Sequence, residues 1–327
     1  MKKALAILTA LAVVGGAAFA EVNVGGWGRS GYIPYVSVDG SDAVVGTGPS
    51  WANGSRVGVN FSGSSDNVGF NLNLDSNGGT FGVGDQAKIW VKVNSMFGFQ
   101  VGKIQQDVLR GKIGDFGAFE LESAGGEDDI FKRFNPGKGL QIDVTPMEGV
   151  YIGAALDGSG TLTEDAMKNI QLGAGYVIAD MGHIRAQYLG SAADDASMVQ
   201  IAFALTAVEN LLVDAGAKIA LGEANDTSIA AGLKYSGVEN LGLTARTKVV
   251  LADDMYLAVA GQAEYTVAAP LAVGVEGGFN NGSGVDSDVQ IGGYGKLGYS
   301  NGMAKFGFAY KTLSKTMYLP IFAEYWF

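Results

Sequence analysis

Alternation of apolar with polar or small residues recurs along nearly the whole chain, in segments separated by turn-forming residues. Around position 59, for example, Val57, Val59 and Phe61 alternate with polar or small residues. Successive side chains of a β-strand point to opposite faces, so each segment would have one apolar and one wetter face. This pattern predicts an all-β protein. The eighteen candidate strands span residues 22–37, 55–62, 68–75, 85–94, 98–106, 139–145, 149–157, 169–179, 183–190, 197–207, 211–221, 227–236, 241–251, 255–267, 271–279, 288–299, 303–311 and 316–327.

The connections between these segments differ in length in a regular way. Every second connection is short, and most of these contain Gly, Asn or Pro, which suit tight turns. They span residues 63–67, 95–97, 146–149, 180–182, 208–210, 237–240, 268–270 and 300–302. The intervening connections include the long ones, at residues 39–54, 107–138, 158–168, 190–196 and 280–287. This sidedness predicts a transmembrane antiparallel up-and-down β-barrel rather than a soluble β-sandwich. Merging one weak hairpin would give 16 strands instead of 18, and either number leaves a water-filled channel.

The first twenty residues have the layout of a secretory signal peptide. Lys2 and Lys3 precede an apolar stretch over residues 4–17, and Ala18-Phe19-Ala20 supplies a small-x-small cleavage site. The apolar stretch is shorter than the roughly 20 residues that a membrane helix needs. We therefore expect residues 1–20 to be cleaved on export and residues 21–327 to form a single domain.

Composition argues against several classes of function. The net charge is −11, and an acidic chain of this kind is not built to bind nucleic acid. There is no Cys, and the one His, His183, lies in phase with Arg185 on a candidate strand, which predicts a wall residue rather than a metal ligand. A Ser- or Asp-based hydrolytic site would normally need a His base with an orienting partner. The sequence therefore predicts no enzyme, no cofactor and no metal.

The long connection at residues 107–138 combines charge with large apolar side chains, among them Leu109, Ile113, Phe116 and Phe131. So many large apolar side chains are unfavourable in a loop exposed to solvent, whereas a loop packed against an inner wall can bury them. The 51 Gly residues would make room where backbone and loop approach closely. We expect this loop to fold inward and narrow the pore; an exposed surface loop is the alternative. Its candidate constriction acids are Asp115, Glu120, Glu122, Glu127, Asp128 and Asp129.

Basic residues fall on the opposite phase of the strands from the apolar residues. An Arg or Lys that faces lipid near mid-bilayer costs about 2–4 kcal/mol, so these side chains should point into the lumen. Those on the first four candidate strands would face the loop acids and set a transverse field; alternatively, the basic side chains hydrogen-bond loop carbonyls and hold the loop down. The candidate pore-wall residues are Arg29, Arg56, Lys88, Lys92, Arg185, Arg246 and Lys248.

Three segments resemble general diffusion porins of Gram-negative-type bacteria, at residues 55–61 (SRVGVNF), 86–92 (QAKIWVK) and 99–103 (FQVGK). The resemblance extends to the long insertion after the fifth candidate strand and to the terminal aromatic strand ending in Tyr325 and Phe327. It implies a third loop folded into the barrel, a homotrimer in outer-membrane lipid, and a terminal strand that the barrel assembly machinery reads. Members usually have 16 strands, so the 18 counted here depart from that pattern.

The function expected on this basis is that of an outer-membrane porin, which passes ions and small hydrophilic solutes by passive diffusion. One alternative is a substrate-selective channel, for example for sugars, with an aromatic track for which Trp27, Trp90 and Tyr294 are candidates. Another alternative is a surface adhesin or structural barrel without significant conductance.

Overall fold

The structure is a computed structural model that describes residues 22–46, 55–77, 80–113, 124–158, 168–192, 196–281 and 287–327. The predicted signal peptide lies outside these residues. In the described part of the chain, no helix has the length and hydrophobicity needed to cross a membrane. The short helix α1 (Glu127–Ile130) has a single turn. The strands are β1 (Asn23–Ser37), β2 (Gly40–Gly46), β3 (Arg56–Ser64), β4 (Val68–Asn77), β5 (Thr80–Lys92), β6 (Phe97–Gln106), β7 (Phe134–Val144), β8 (Val150–Asp157), β9 (Gln171–Ile178), β10 (Gly182–Leu189), β11 (Met198–Leu205), β12 (Leu211–Ala220), β13 (Thr227–Val238), β14 (Leu241–Leu251), β15 (Tyr256–Ala268), β16 (Leu271–Asn281), β17 (Asp288–Tyr299), β18 (Gly302–Lys311), β19 (Thr316–Tyr318) and β20 (Ile321–Trp326).

These segments form one closed antiparallel sheet. β2 and β3 lie end to end along the same edge of β1, while β19 and β20 form an interrupted strand along its other edge. Counting each of these two pairs once, the twenty segments make eighteen barrel strands, and each pairs with its neighbours in sequence. The pairing of β1 with β20, with Trp27 opposite Trp326, closes the barrel. The predicted barrel of 18 strands is confirmed, and the 16-strand alternative is wrong.

Two local features differ from the expected segments. The connection predicted at residues 39–54 contains β2, because the first hairpin continues beyond the paired part of β3. The last strand, predicted as continuous, is interrupted at Pro320, which has no N–H to donate to a ladder. Its carbonyl still accepts a hydrogen bond from the Gly307 N–H at 3.2 Å. Neither feature changes the closure of the barrel.

The predicted two-residue alternation determines which side chains face out and which face in. On β5 and β6, the outward Ile89 and Val101 are 58% and 49% exposed and lie directly opposite each other. On β10 and β12, the inward Arg185 and Asp214 are both fully buried. Apolar side chains therefore form the outer surface of the barrel, and polar side chains line its interior.

Short connections gather at one end of the barrel and the long ones at the other. At the short-turn end, Asp180, Asn210 and Asn240 adopt positive φ angles of 58°, 59° and 61°, a conformation that Asn and Asp tolerate better than most residues. The start of β1 and the end of β20 meet there, since the backbone groups of Gly26 and Phe327 exchange two hydrogen bonds of 2.9 Å. The sidedness predicted from connection lengths is thus present in the fold.

Lys103 lies on the outward phase of β6, where a charge is unexpected. The register between β4 and β5 shifts between Leu72 and Leu74, which marks a bulge in β5. The Lys103 ammonium donates hydrogen bonds to the carbonyls of Val83, at 3.3 Å, and Gly84 beside this bulge. A local irregularity therefore provides the polar partners that an outward lysine needs.

Candidate functional site

The described parts of the connection between β6 and β7 lie along the inward face of the barrel wall. Within its described parts, residues 107–113 and 124–133, the side chains of Leu109, Ile113, Ile130 and Phe131 are at most 1% exposed. They form one apolar cluster with wall residues of β8, β11, β12 and β13, namely Tyr151, Ala202, Leu212 and Ala230. This cluster attaches the described parts of the loop to one side of the lumen.

Glycines on the wall allow this close approach. A Cβ atom added at Gly216 would collide with the backbone carbonyl oxygen of Ile130. One added at Gly232 would lie 2.9 Å from Ile113 Cγ2, and one at Gly173 would lie 2.6 Å from Leu109 Cδ1. The loop therefore occupies space that ordinary side chains on β9, β12 and β13 would fill.

We expect Gly216→Val to displace the loop, while the barrel stays closed with only a small shift at Ala202, whose Cβ would lie 3.0 Å from the new Cβ. Valine suits a strand, but its Cβ cannot coexist with the Ile130 carbonyl in the present position of the loop. Trypsin cleavage after Arg110, Lys112, Lys132 or Arg133 should become roughly tenfold faster or more, because cleavage follows the population of the open form. The measurement is digestion of folded protein in detergent. Gly242→Val is the matched control, since a Cβ there meets nothing within 4 Å; equal cleavage rates in the two variants would contradict the expectation.

Charges on the loop form an ionic network with each other and with the nearest wall. Arg110 pairs with Glu127, and its Nε lies 3.0 Å from Oδ1 of Asp128. Asp129 Oδ1 lies 2.7 Å from Lys248 Nζ and 3.9 Å from Lys218 Nζ. Burial alone would raise the pKa of Asp128, but the hydrogen bond from Arg110 and the positive charges of Arg110 and Arg133 outweigh it and lower that pKa. Asp128 therefore stays ionised down to lower pH than an isolated carboxyl.

Beneath the loop, wall side chains hydrogen-bond its backbone. Arg185 Nη1 donates to the carbonyl oxygen of Arg110 at 2.7 Å, and Gln187 Nε2 donates to that of Lys132 at 2.8 Å. Gln200 Oε1 accepts from the Lys132 N–H at 2.9 Å. These bonds satisfy loop backbone groups that would otherwise be buried without partners.

The wall from β1 to β5 carries a second basic group, together with two tryptophans. The guanidinium carbons of Arg29 and Arg56 lie 4.6 and 5.3 Å from the centroid of the Trp27 ring, within cation–π range. Lys92 Nζ lies 5.5 Å from the Trp90 ring, and Lys88 Nζ donates to the Gln105 carbonyl at 3.4 Å. This wall is therefore both basic and aromatic.

The predicted site residues thus divide into several groups. Glu127, Asp128 and Asp129 lie in the ionic network, whereas Asp115, Glu120 and Glu122 fall outside the described residues. Arg185 and Arg246 are on the inward face, but at 0% and 2% exposure they are buried and do not line open lumen. Tyr325 and Phe327 lie on the outward face with ring centroids 6.3 Å apart.

Sequence reasoning missed Lys218 and Asp214, two wall residues that contact the loop. Both lie on β12 in the phase opposite to Val213 and Ile219, so the alternation that identified Lys248 would also have identified them. The described loop acids contact Lys218, Lys248 and the loop arginines. A contact between loop acids and the basic residues of the first four predicted strands stays a prediction.

A cleft of about 620 Å³ lies between the loop and the wall. Its lining is rich in both signs of charge, with Asp85, Asp128, Asp129 and Asp226 on one hand and Lys132, Arg133, Lys218 and Lys248 on the other. A volume of this size accommodates a small hydrophilic solute.

Solved structures with this fold span nearly the whole chain. A double mutant of the Rh. blastica porin is 15% identical, with a TM-score of 0.56, and the match covers 94% of this chain and 100% of that one. OpdL of Pseudomonas aeruginosa is 10% identical, with a TM-score of 0.58 and coverage of 94% and 99%. A structure described as "Asymmetric conductivity of engineered proteins" is 15% identical, with a TM-score of 0.57 and coverage of 94% and 100%. No protein-family profile matches the chain, and no curated protein matches it. At these identities the likeness shows the fold: an all-β transmembrane-type barrel.

Proposed function

We propose that this protein is an outer-membrane porin that lets ions and small hydrophilic solutes diffuse passively through a water-filled pore. The observation that carries the proposal is a closed barrel of eighteen strands with apolar residues outside and charged residues inside. A barrel of this size is too wide for wall side chains to fill, and a closed sheet leaves no backbone edge exposed to lipid. The solved porins that share the fold support the same reading.

The proposal places the protein in the outer membrane of a diderm bacterium, after cleavage of residues 1–20. In this proposal residues 107–138 are the constriction loop, and its acids act with the basic wall residues on passing ions. The proposal also includes assembly into a homotrimer in the lipid. The barrel assembly machinery would recognise the terminal strand through Tyr325 and Phe327. No catalytic role is included.

A planar-bilayer recording tests this function directly. Purified protein should give stable open steps in KCl, because a lumen lined by charges stays hydrated. Vesicles containing it should swell in solutions of small sugars and amino acids but not in those of large polysaccharides. A folded barrel that gives no steps and no swelling would contradict the proposal and favour the adhesin or structural barrel.

A substrate-selective channel is the second candidate, favoured by the position of two tryptophans. Cβ atoms added at Gly58 and Gly69 would lie 2.5 Å from Trp27 Nε1 and 2.6 Å from Trp90 Cε2, respectively, so both indoles lie against glycine backbone on the inward face. Tyr294 is 6% exposed and is not available for stacking. Block of the open channel by one class of sugar, abolished by Trp27→Ala or Trp90→Ala, would favour this candidate over general diffusion.

A further inference from the structure

Arg185 on β10 and Asp214 on β12 form an ion pair on the inward wall, and both side chains are fully buried. The pair lies between the barrel wall and the loop, so it contributes nothing to an open pore surface. Burying two charges is costly unless their geometry and further hydrogen bonds compensate. The partners of the other hydrogen-bonding groups of Arg185 and Asp214 therefore indicate the role of the pair.

Of these groups, Arg185 Nη1 and Asp214 Oδ2 are directed to the loop. Arg185 Nη1 donates to the carbonyl oxygens of Arg110, at 2.7 Å, and Leu109, at 3.5 Å. Asp214 Oδ2 accepts a hydrogen bond from the Lys112 N–H. The Arg185 guanidinium carbon also lies 5.3 Å from the centroid of the Phe131 ring. One wall pair thus contacts the outgoing arm of the loop, at residues 109–112, and the returning arm, at Phe131.

The pair is suited to this position because its two members need each other. Hydrogen bonds to charged groups are stronger than neutral ones, especially where water is excluded. Without Asp214, Arg185 would be a buried charge facing carbonyl dipoles and an aromatic ring, with no counter-charge in the ion pair. Without Arg185, Asp214 would accept a backbone hydrogen bond with no counter-charge. The loop backbone provides further hydrogen-bond partners for Arg185 Nη1 and Asp214 Oδ2.

We propose that Arg185 and Asp214 are positioning residues that latch the loop against the wall and so set the width and steadiness of the open channel. The proposal rests on the porin function proposed above. In this proposal Arg185 holds the loop rather than acting as a pore-wall charge. Asp214, which the sequence analysis did not single out, affects permeation in the same indirect way. Neither side chain contacts the solute.

The test removes both charges together. Arg185→Met with Asp214→Leu eliminates the cost of burying a lone charge, and such double replacements often preserve stability. If the attraction between the two charges does no more than offset the cost of burying them, loop cleavage and conductance in this variant should equal those of the wild type. If it is a latch, the folded variant should lose the loop contacts. Trypsin cleavage after Arg110, Lys112, Lys132 or Arg133 should then become roughly tenfold faster or more, with larger, fluctuating conductance.

An engineered disulfide can reattach the loop in the double variant. The chain contains no Cys of its own, so two introduced cysteines can pair only with each other. A Cβ at Gly232 would lie 3.1 Å from Ile113 Cβ, slightly closer than the 3.5–4.5 Å of ordinary disulfides, so a small shift suffices. Adding Ile113→Cys and Gly232→Cys to the latch variant should restore slow cleavage and steady conductance when oxidised, and reduction should reverse this.

The matched control is Lys296→Met with Glu264→Leu, which removes another inward ion pair. Its hydrogen bonds within the described residues are to wall side chains. Cleavage of the loop should stay at the wild-type rate in this control.

Wild-type cleavage and conductance in the Arg185/Asp214 double variant would overturn the latch. If the double variant does not fold, Asp214→Asn gives the same readouts, and a wild-type cleavage rate there would also overturn it. Absence of conductance in the wild type would overturn the porin function, while the cleavage assay would still decide the latch.

Discussion

Excising residues 108–132 and joining Asp107 to Arg133 through a short Gly-Ser turn should raise the single-channel conductance by roughly twofold or more, because a barrel of this size is otherwise open. The described parts of this loop contact the inward faces of strands between β8 and β14, so their removal widens the water-filled cross-section. The wall charges that become uncovered, Arg185 and Asp214, would be hydrated at low cost. The measurement is the size of single steps in symmetric KCl.

The control for this excision is removal of residues 159–167, which belong to another long connection at the same end of the barrel. Conductance should then change little, since these residues follow β8 and do not interrupt the β6–β7 connection. An excised protein that is folded but retains the wild-type step size would show that the loop does not limit flow.

Reversing two wall charges, with Lys88→Glu and Lys92→Glu, should shift the reversal potential toward cation preference, by roughly 10 mV or more in a tenfold KCl gradient. Both residues are on the inward phase of β5, and their ammonium groups contact the Gln105 carbonyl and the Trp90 ring. The double variant changes the charge of the lumen by four units. Fixed charges close to the ion path act with little screening.

Lys168→Glu with Lys315→Glu carries the same change in charge to exposed positions at the long-loop end. Charges separated from the ion path by more than about 8–10 Å of electrolyte are largely screened, so this pair should shift the potential much less. If the reversal potential shifts equally in the two variants, or does not shift in the Lys88 and Lys92 variant, then Lys88 and Lys92 do not lie beside the ion path.

The strand number and the two faces of each strand followed from the sequence. Lipid and water make opposite demands on adjacent residues, so the alternation of Val57, Val59 and Phe61 with polar or small neighbours leaves one workable orientation. The ends of strands did not follow from it: β5 begins at Thr80 rather than 85, since a bulge disturbs the alternation that precedes Ala87.

The seating of the loop required the tertiary structure. Alternation assigns Arg185, Asp214 and Lys248 to the same inward face and gives no means of telling which are covered and which border water. Arg185 and Asp214 are 29 residues apart, and they meet Lys112 and Phe131 only because closure of the barrel brings β10, β12 and the loop together.

Orientation toward lipid or water is a local property that each strand records in its own residues. Contact between a loop and a distant wall is a collective property, decided by how glycines such as Gly216 and side chains such as Ile130 fit once the sheet has closed. The sequence by itself therefore determined that this chain forms a barrel with a wet interior. Which of its charges hold the loop, and which remain for passing ions, was decided only by the packing.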